Sequence, residues 1–145
     1  MEQAKLPRGI RNNNPLNLRR TGDPWRGLSP EQKDPDFAQF KSIYWGIRAA
    51  FINVRTHLTR DKKARRSTTV SSEIGRWAPP KENDTRAYVE AVCKKGALKA
   101  DEPLDWRNKN QLCRLLWAMA HHENGQTLSF QLFETAYELA QHLGD

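Results

Sequence analysis

Long apolar runs are missing from this chain of 145 residues. No stretch approaches the ~18 consecutive apolar residues that predict a membrane-spanning helix. The segment 1–11 contains Leu6 and Ile10 but no continuous apolar core of the kind found in secretory signals. We therefore expect no transmembrane segment and synthesis in a cytoplasm without a signal peptide.

Cysteine is also scarce, with two residues, Cys93 and Cys113. Their spacing matches no metal-binding pattern, so we expect no metal and no cofactor. Each lies inside an apolar helical pattern, which favours buried free thiols, although a disulfide between them stays open. The chain also lacks internal repeats and low-complexity segments, which excludes solenoid and array architectures.

Positive charge, by contrast, is abundant. Lysine and arginine number 24 against 17 acidic residues, which gives a net charge of +7 and a pI near 9.7. Such a surface favours an acidic partner, such as nucleic acid, anionic lipid or the bacterial cell wall. The hydrophobic fraction is 37%, with five Trp, five Phe and three Tyr, which suits one compact domain with a core.

The order of apolar patterns predicts a mainly α (α+β) fold in a single domain, with a small strand and loop region packed on a helical lobe. Residues 1–41 read as loops with two or three short strands, the first nine residues being a flexible segment. Helical periods follow over 43–60 and 69–77. Further helices are predicted from Asn83 or Asp84 to Gly96, from about 109 to 124, and from Thr127 or Ser129 to Gly144.

The most informative of these helices ends at a carboxylate. Leu112, Leu116, Met119 and Glu123 follow one another at spacings of four, three and four, so they share one helix face. Asn124-Gly125 reads as the helix stop. Glu123 is therefore expected at the negative end of a helix, close to apolar surroundings. Both effects disfavour its ionised form, which suits a general acid.

A cluster of asparagines occupies the front of the chain, from Asn12 to Asn17. Their amides carry donors and acceptors that can read the hydroxyl and acetamido groups of a sugar. Asparagine is also an ordinary turn residue, and for Asn12 and Asn13 the two interpretations are equally supported. Asn17 lies between two strand-like leucines, which favours a binding role.

Three segments resemble those of the lysozyme superfamily, in particular lytic transglycosylases and glucosaminidases. Thr85-Arg86 and Tyr88-Val89 resemble the transglycosylase signature that carries a groove-lining tyrosine. His122-Glu123-Asn124-Gly125 resembles the end of the catalytic helix. Residues 14–18, 37–40 and 44–50 resemble the sheet and the helix that follows it. The opening and the Trp77-Ala78-Pro79 segment are also similar to phage and prophage virion proteins.

The resemblance implies cleavage of the β-1,4 bond between N-acetylmuramic acid and N-acetylglucosamine in peptidoglycan. The order of the segments implies a circular permutation, since the sheet region comes first and the catalytic helix nearly last. Glu123 is the implied catalytic acid. The residues expected to bind substrate are Asn14, Asn17, Arg48, Trp77, Asn83 and Tyr88. We expect a monomer that acts on the anionic cell wall, in the periplasm or from a virion, after export by another system.

The sequence favours a lytic transglycosylase over a hydrolase, because no second carboxylate stands in a motif of comparable quality. Asp23, Asp34 and Asp36 lie in the front region, where their proline neighbours favour turn roles. Two alternatives stay open. One is a non-catalytic virion protein with a lysozyme-like fold. The other is a basic nucleic-acid-binding module at the run 60–66, although that run lacks interleaved aromatics and we expect no nucleic-acid partner.

Overall fold

The computed structural model describes residues 6–79 and 84–141. Six helices lie in these ranges: α1 (Arg8–Arg11), α2 (Ile43–Lys63), α3 (Val70–Trp77), α4 (Thr85–Gly96), α5 (Lys109–Asn124) and α6 (Phe130–Ala140). The mainly helical class expected from the sequence is thus confirmed. Within the described ranges, none of the helices has the length and apolarity to cross a membrane.

The helix boundaries follow local chemistry. Asp84 and Asn108 cap the starts of α4 and α5, because their side chains accept backbone N–H groups of the first turn. Thr69 begins α3 with a reciprocal capping box to Ser72. α4 ends at Gly96, as predicted, and the left-handed residue that closes it is the following Ala97. The predicted end of the last helix, at Leu143 and Gly144, lies outside the described residues.

The core forms where α2 packs against α6 and where α5 packs against α4 and α6. Phe51 of α2 is fully buried and meets the ring of Tyr137 edge to face, 5.5 Å between centroids. Leu112, Leu116 and Met119 are fully buried on α5, as their spacing predicts. This packing holds α5 along its length and therefore sets the position of its last turn.

The front segment does not form the predicted strands. Among the described residues of this segment, the only β-pairing consists of two isolated antiparallel bridges, Arg19–Phe37 and Leu28–Phe40. The reason lies in the asparagines. Asn13 and Asn17 adopt left-handed backbone, with φ of 54° and 53°, which interrupts extended chain. Instead, the short helix α1 forms at Arg8–Arg11, within the segment expected to be irregular.

Both cysteines are free thiols, as favoured by the sequence. Cys113 is buried in the core and Cys93 is half-buried on α4. Burial raises the pKa of the Cys113 thiol to about 12, so this group stays protonated at neutral pH.

Candidate functional site

The last turn of α5 presents Glu123 at the boundary between core and solvent. Gly125 closes the helix with a φ of 70°, the left-handed geometry expected for this position. The neighbouring Asn124 is 8% exposed, and its amide nitrogen donates to the carbonyl of Pro15 at 2.8 Å. This bond ties the helix end to the front loop. Glu123 itself is half-buried beside that loop.

Two side chains from distant parts of the chain donate to the Glu123 carboxylate. Asn17 Nδ2 lies 2.8 Å from Oε1, across 106 residues of sequence. The Tyr88 hydroxyl lies 2.8 Å from Oε2. The front loop, α4 and α5 therefore converge on one carboxylate. Each carboxyl oxygen of Glu123 thus accepts one hydrogen bond from another part of the chain.

The position of the Asn17 side chain is set by its packing against α1. Its Oδ1 is buried and has no hydrogen-bond partner among the described residues, as is also true of Asn124 Oδ1. A Cβ added to Gly9 would lie 2.6 Å from Asn124 Oδ1 and 3.0 Å from Asn17 Oδ1. Only glycine lets α1 approach these two amides so closely. This packing directs the Asn17 amide nitrogen towards Glu123.

Tyr88 supports the same carboxylate from the other side. Its ring is 4% exposed and contacts the ring of His122, with centroids 4.1 Å apart. Burial and the neighbouring Glu123 charge raise the pKa of Tyr88 far above its ordinary value. The hydroxyl therefore keeps its proton and can donate to Glu123.

A pocket of about 410 Å³ opens beside this carboxylate. The front loop supplies one set of lining residues, and α2 and α3 supply another. The lining residues are Leu16, Asn17, Leu18, Arg19, Thr21, Asp23, Trp25, Phe37, Asn53, His57, Arg76, Trp77, Pro79 and Glu123. The lining therefore combines polar hydrogen-bonding groups with aromatic rings, as small-molecule sites do.

The structure brings some of the predicted residues to this pocket. Asn17, Trp77 and Glu123 line it directly, while Tyr88 reaches it through Glu123. The Trp77 indole N–H donates to Glu73, so it is already engaged. Asn83 lies outside the described residues.

Asn14 and Arg48 are not among the residues that line the pocket. Asn14 is fully buried, and its amide nitrogen donates to the carbonyls of Leu18 and Ala38. It therefore braces the front loop and has no free group for a sugar. Arg48 is 4% exposed and lies over the ring of Trp45 at 5.7 Å. Burial lowers its pKa.

The three front aspartates differ in their surroundings. Asp34 accepts both nitrogens of an Arg8 fork at 2.6 and 2.5 Å, which holds the pKa of that carboxyl well below its usual range. Asp36 pairs with the same guanidinium at 3.1 Å. Both are structural ion-pair residues. Asp23 is exposed at the pocket, on a loop, where it accepts from Thr21.

The sequence interpretation missed a polar network on the α2 and α3 wall of the pocket. His57 Nδ1 lies 2.7 Å from Glu73 Oε2, and Glu73 is completely buried. Arg76 bridges Glu73 at 3.4 Å and the buried Asp61 at 2.6 Å. A signal was available. Ala50, Val54, His57 and Asp61 continue one stripe of α2 at spacings of four, three and four.

No family model matches the chain. The chain is 35% identical over 121 residues to Protein P5 of Pseudoalteromonas phage PM2. The aligned region covers 81% of this chain and 71% of that phage protein. The protein therefore belongs to the same family as Protein P5 of Pseudoalteromonas phage PM2.

Proposed function

We propose that this protein is a peptidoglycan glycosidase that cleaves the β-1,4 bond between N-acetylmuramic acid and N-acetylglucosamine. The observation that carries the proposal is the Glu123 carboxylate, held by Asn17 and Tyr88 beside a polar and aromatic pocket. A positioned carboxylic acid is what protonation of a glycosidic oxygen requires.

The two hydrogen-bond partners give the two carboxyl oxygens of Glu123 different roles. Asn17 Nδ2 only donates, so Oε1 stays an acceptor in both protonation states. The Tyr88 hydroxyl can donate to the carboxylate or accept from the acid. The transferable proton therefore belongs on Oε2. After transfer to the leaving oxygen, both donors stabilise the resulting carboxylate.

The lysozyme-like interpretation requires that the segments occur in permuted order, with the Asn17 loop ahead of the Glu123 helix. The role proposed for Glu123 does not require a circular permutation. It requires only that the front loop, α4 and α5 converge on this one acid.

Digestion of purified peptidoglycan tests the proposal directly. Mass spectrometry of the soluble muropeptides separates the reactions, because a transglycosylase leaves anhydro ends and a hydrolase leaves reducing ends. Either product supports a glycosidase. No release from several wall chemotypes contradicts it and leaves a non-catalytic role, such as that of a virion structural protein.

A second candidate function, nucleic-acid binding, rests on a different surface. We name it the basic cleft, a depression of about 980 Å³ with five cationic lining residues: Arg55, Lys62, Arg65, Arg66 and Arg107. Among its described lining residues Asp105 is the single carboxylate. Such a cleft can follow a phosphodiester backbone.

A gel shift with duplex DNA at increasing salt tests this second function. Binding at the basic cleft predicts that Lys62→Ala lowers the salt dependence by about one phosphate contact. Wild-type protein that does not retard DNA at low salt contradicts it.

A further inference from the structure

The wall of the pocket formed by α2 and α3 carries a carboxylate–imidazole pair. Glu73 is fully buried, and its oxygens accept from Trp77 Nε1 at 2.9 Å and from Arg76 at 3.4 Å. His57 Nδ1 stands 2.7 Å from the oxygen that also receives the indole N–H. Three partners around one carboxyl group match the anion, which has acceptors and no donor.

This contact favours one arrangement of hydrogens on the imidazole. An anionic Glu73 can only accept, so His57 Nδ1 carries the hydrogen. In the neutral ring, Nε2 then bears the free lone pair. The His57 side chain is 22% exposed and lines the same pocket as Glu123. His57 and the proposed acid therefore line the same pocket.

We propose that His57, positioned by Glu73, is the general base that activates water at this site. The inference rests on the glycosidase function proposed above. Glu123 gives its proton to the glycosidic oxygen as the bond from that oxygen to C1 breaks. Water forms a new bond to C1 and gives one proton to His57 Nε2. The products are a reducing-end sugar and a free 4-hydroxyl, and solvent returns the protons to their starting groups.

Other groups near Glu123 are less suited to this role. Asp23 lies on an exposed loop, whereas His57 projects from the long helix α2 and is fixed by a buried partner.

His122 is exposed and packs on the Tyr88 ring, outside the lining of the pocket. His121 contacts Thr127 at 3.0 Å. Preorganisation therefore selects His57.

The assignment changes the expected product. The sequence alone favoured a transglycosylase because no second carboxylate stands in a motif of comparable quality. A histidine base in the pocket takes the place of that carboxylate and directs the reaction towards water. We therefore expect reducing ends, with oxygen from the solvent at C1.

The test is digestion of peptidoglycan in water enriched in oxygen-18. Wild-type protein should release reducing ends that carry the heavy isotope. His57→Asn keeps an amide donor for Glu73 but lacks Nε2, so release of reducing ends should fall by about 10²-fold or more. The matched control His121→Asn should keep the wild-type rate. Added imidazole should restore reducing-end release to His57→Ala, which a purely structural role does not predict.

Glu73 is tested as a positioning residue in the same assay. In the His57→Asn background, Glu73→Gln should cost no further activity per folded molecule, because its effect acts through the imidazole. If His57→Asn fails to fold, His57→Gln takes its place, with thermal unfolding as the check on both.

Each contrary result has its own meaning. Reducing-end release at the wild-type rate by folded His57→Asn overturns the assignment of the base and leaves the glycosidase standing. Anhydro ends as the sole product of the wild type also overturn the assignment of the base and leave the glycosidase standing. Loss of activity in Asp23→Asn together with full activity in His57→Asn transfers the role to Asp23. No release by the wild type overturns both proposals.

Discussion

Replacing Tyr88 by phenylalanine removes one oxygen from the candidate site and little else. The ring is 4% exposed and packs on His122, and phenylalanine keeps this packing. The lost group is the hydroxyl that donates to Glu123 Oε2 at 2.8 Å. Glu123 then keeps the bond from Asn17 and loses the constraint on its other oxygen.

The size of the effect follows from the kind of bond. A hydrogen bond to a charged group contributes about 1.5–3 kcal/mol. Glu123 is half-buried, so water replaces part of that loss, and we expect about 1–2 kcal/mol in the free energy of unfolding. For a domain of this size the melting temperature then falls by about 3–6 °C. Activity on peptidoglycan should fall by about 10- to 10²-fold, because the acid is no longer held in one geometry.

Tyr137→Phe is the matched control. The Tyr137 hydroxyl is also engaged, donating to the carbonyl of Trp106 at 2.5 Å, but neither residue lines the pocket. It should lose a similar amount of stability and keep its activity per folded molecule. Equal stability losses in both variants, with full activity in Tyr88→Phe, would show that Tyr88 is only a core residue.

Two further predictions concern the support of the site. Gly9→Ala places a Cβ 2.6 Å from Asn124 Oδ1 and should cost about 1–3 kcal/mol in urea unfolding, whereas Gly75→Ala, with open space around its Cβ, should not destabilise. Arg76 lowers the pKa of Asp61 from 3.8 to about 2, so this carboxylate stabilises the fold above pH 4 and loses that contribution as the pH falls to 2. The stability difference between wild type and Asp61→Asn should therefore shrink by about 2 kcal/mol between pH 5 and pH 2, and a constant difference contradicts the ion pair.

Helices with a regular apolar period could be predicted from the sequence. The α5 stripe is the clearest case, since Leu112 and Met119 are fully buried and Glu123 follows them at the boundary. A helix is a local structure, so its spacing and its caps are written in neighbouring residues. The stop at Gly125 follows from the same local chemistry.

The errors and omissions arise where tertiary contacts decide. The front segment has apolar alternation, yet Asn14 and its neighbours satisfy the backbone through side-chain bonds, so the predicted strands do not form. The contact between Asn17 and Glu123 spans 106 residues and has no local signature. Two partners of Glu73, Arg76 and Trp77, lie on its own helix, but the contact with His57 joins α3 to α2 and has no local signature.

The central claim is that Glu123 is the general acid, and Glu123→Gln tests it most directly. The amide oxygen can accept from Asn17 while its nitrogen donates to the Tyr88 hydroxyl oxygen, so both bonds are kept and the melting temperature should stay within a few degrees. The transferable proton is lost, so the rate of muropeptide release should fall by about 10²- to 10⁴-fold. Glu90→Gln, on the exposed face of α4, is the control and should match the wild type. Release by folded Glu123→Gln at the wild-type rate would contradict the account.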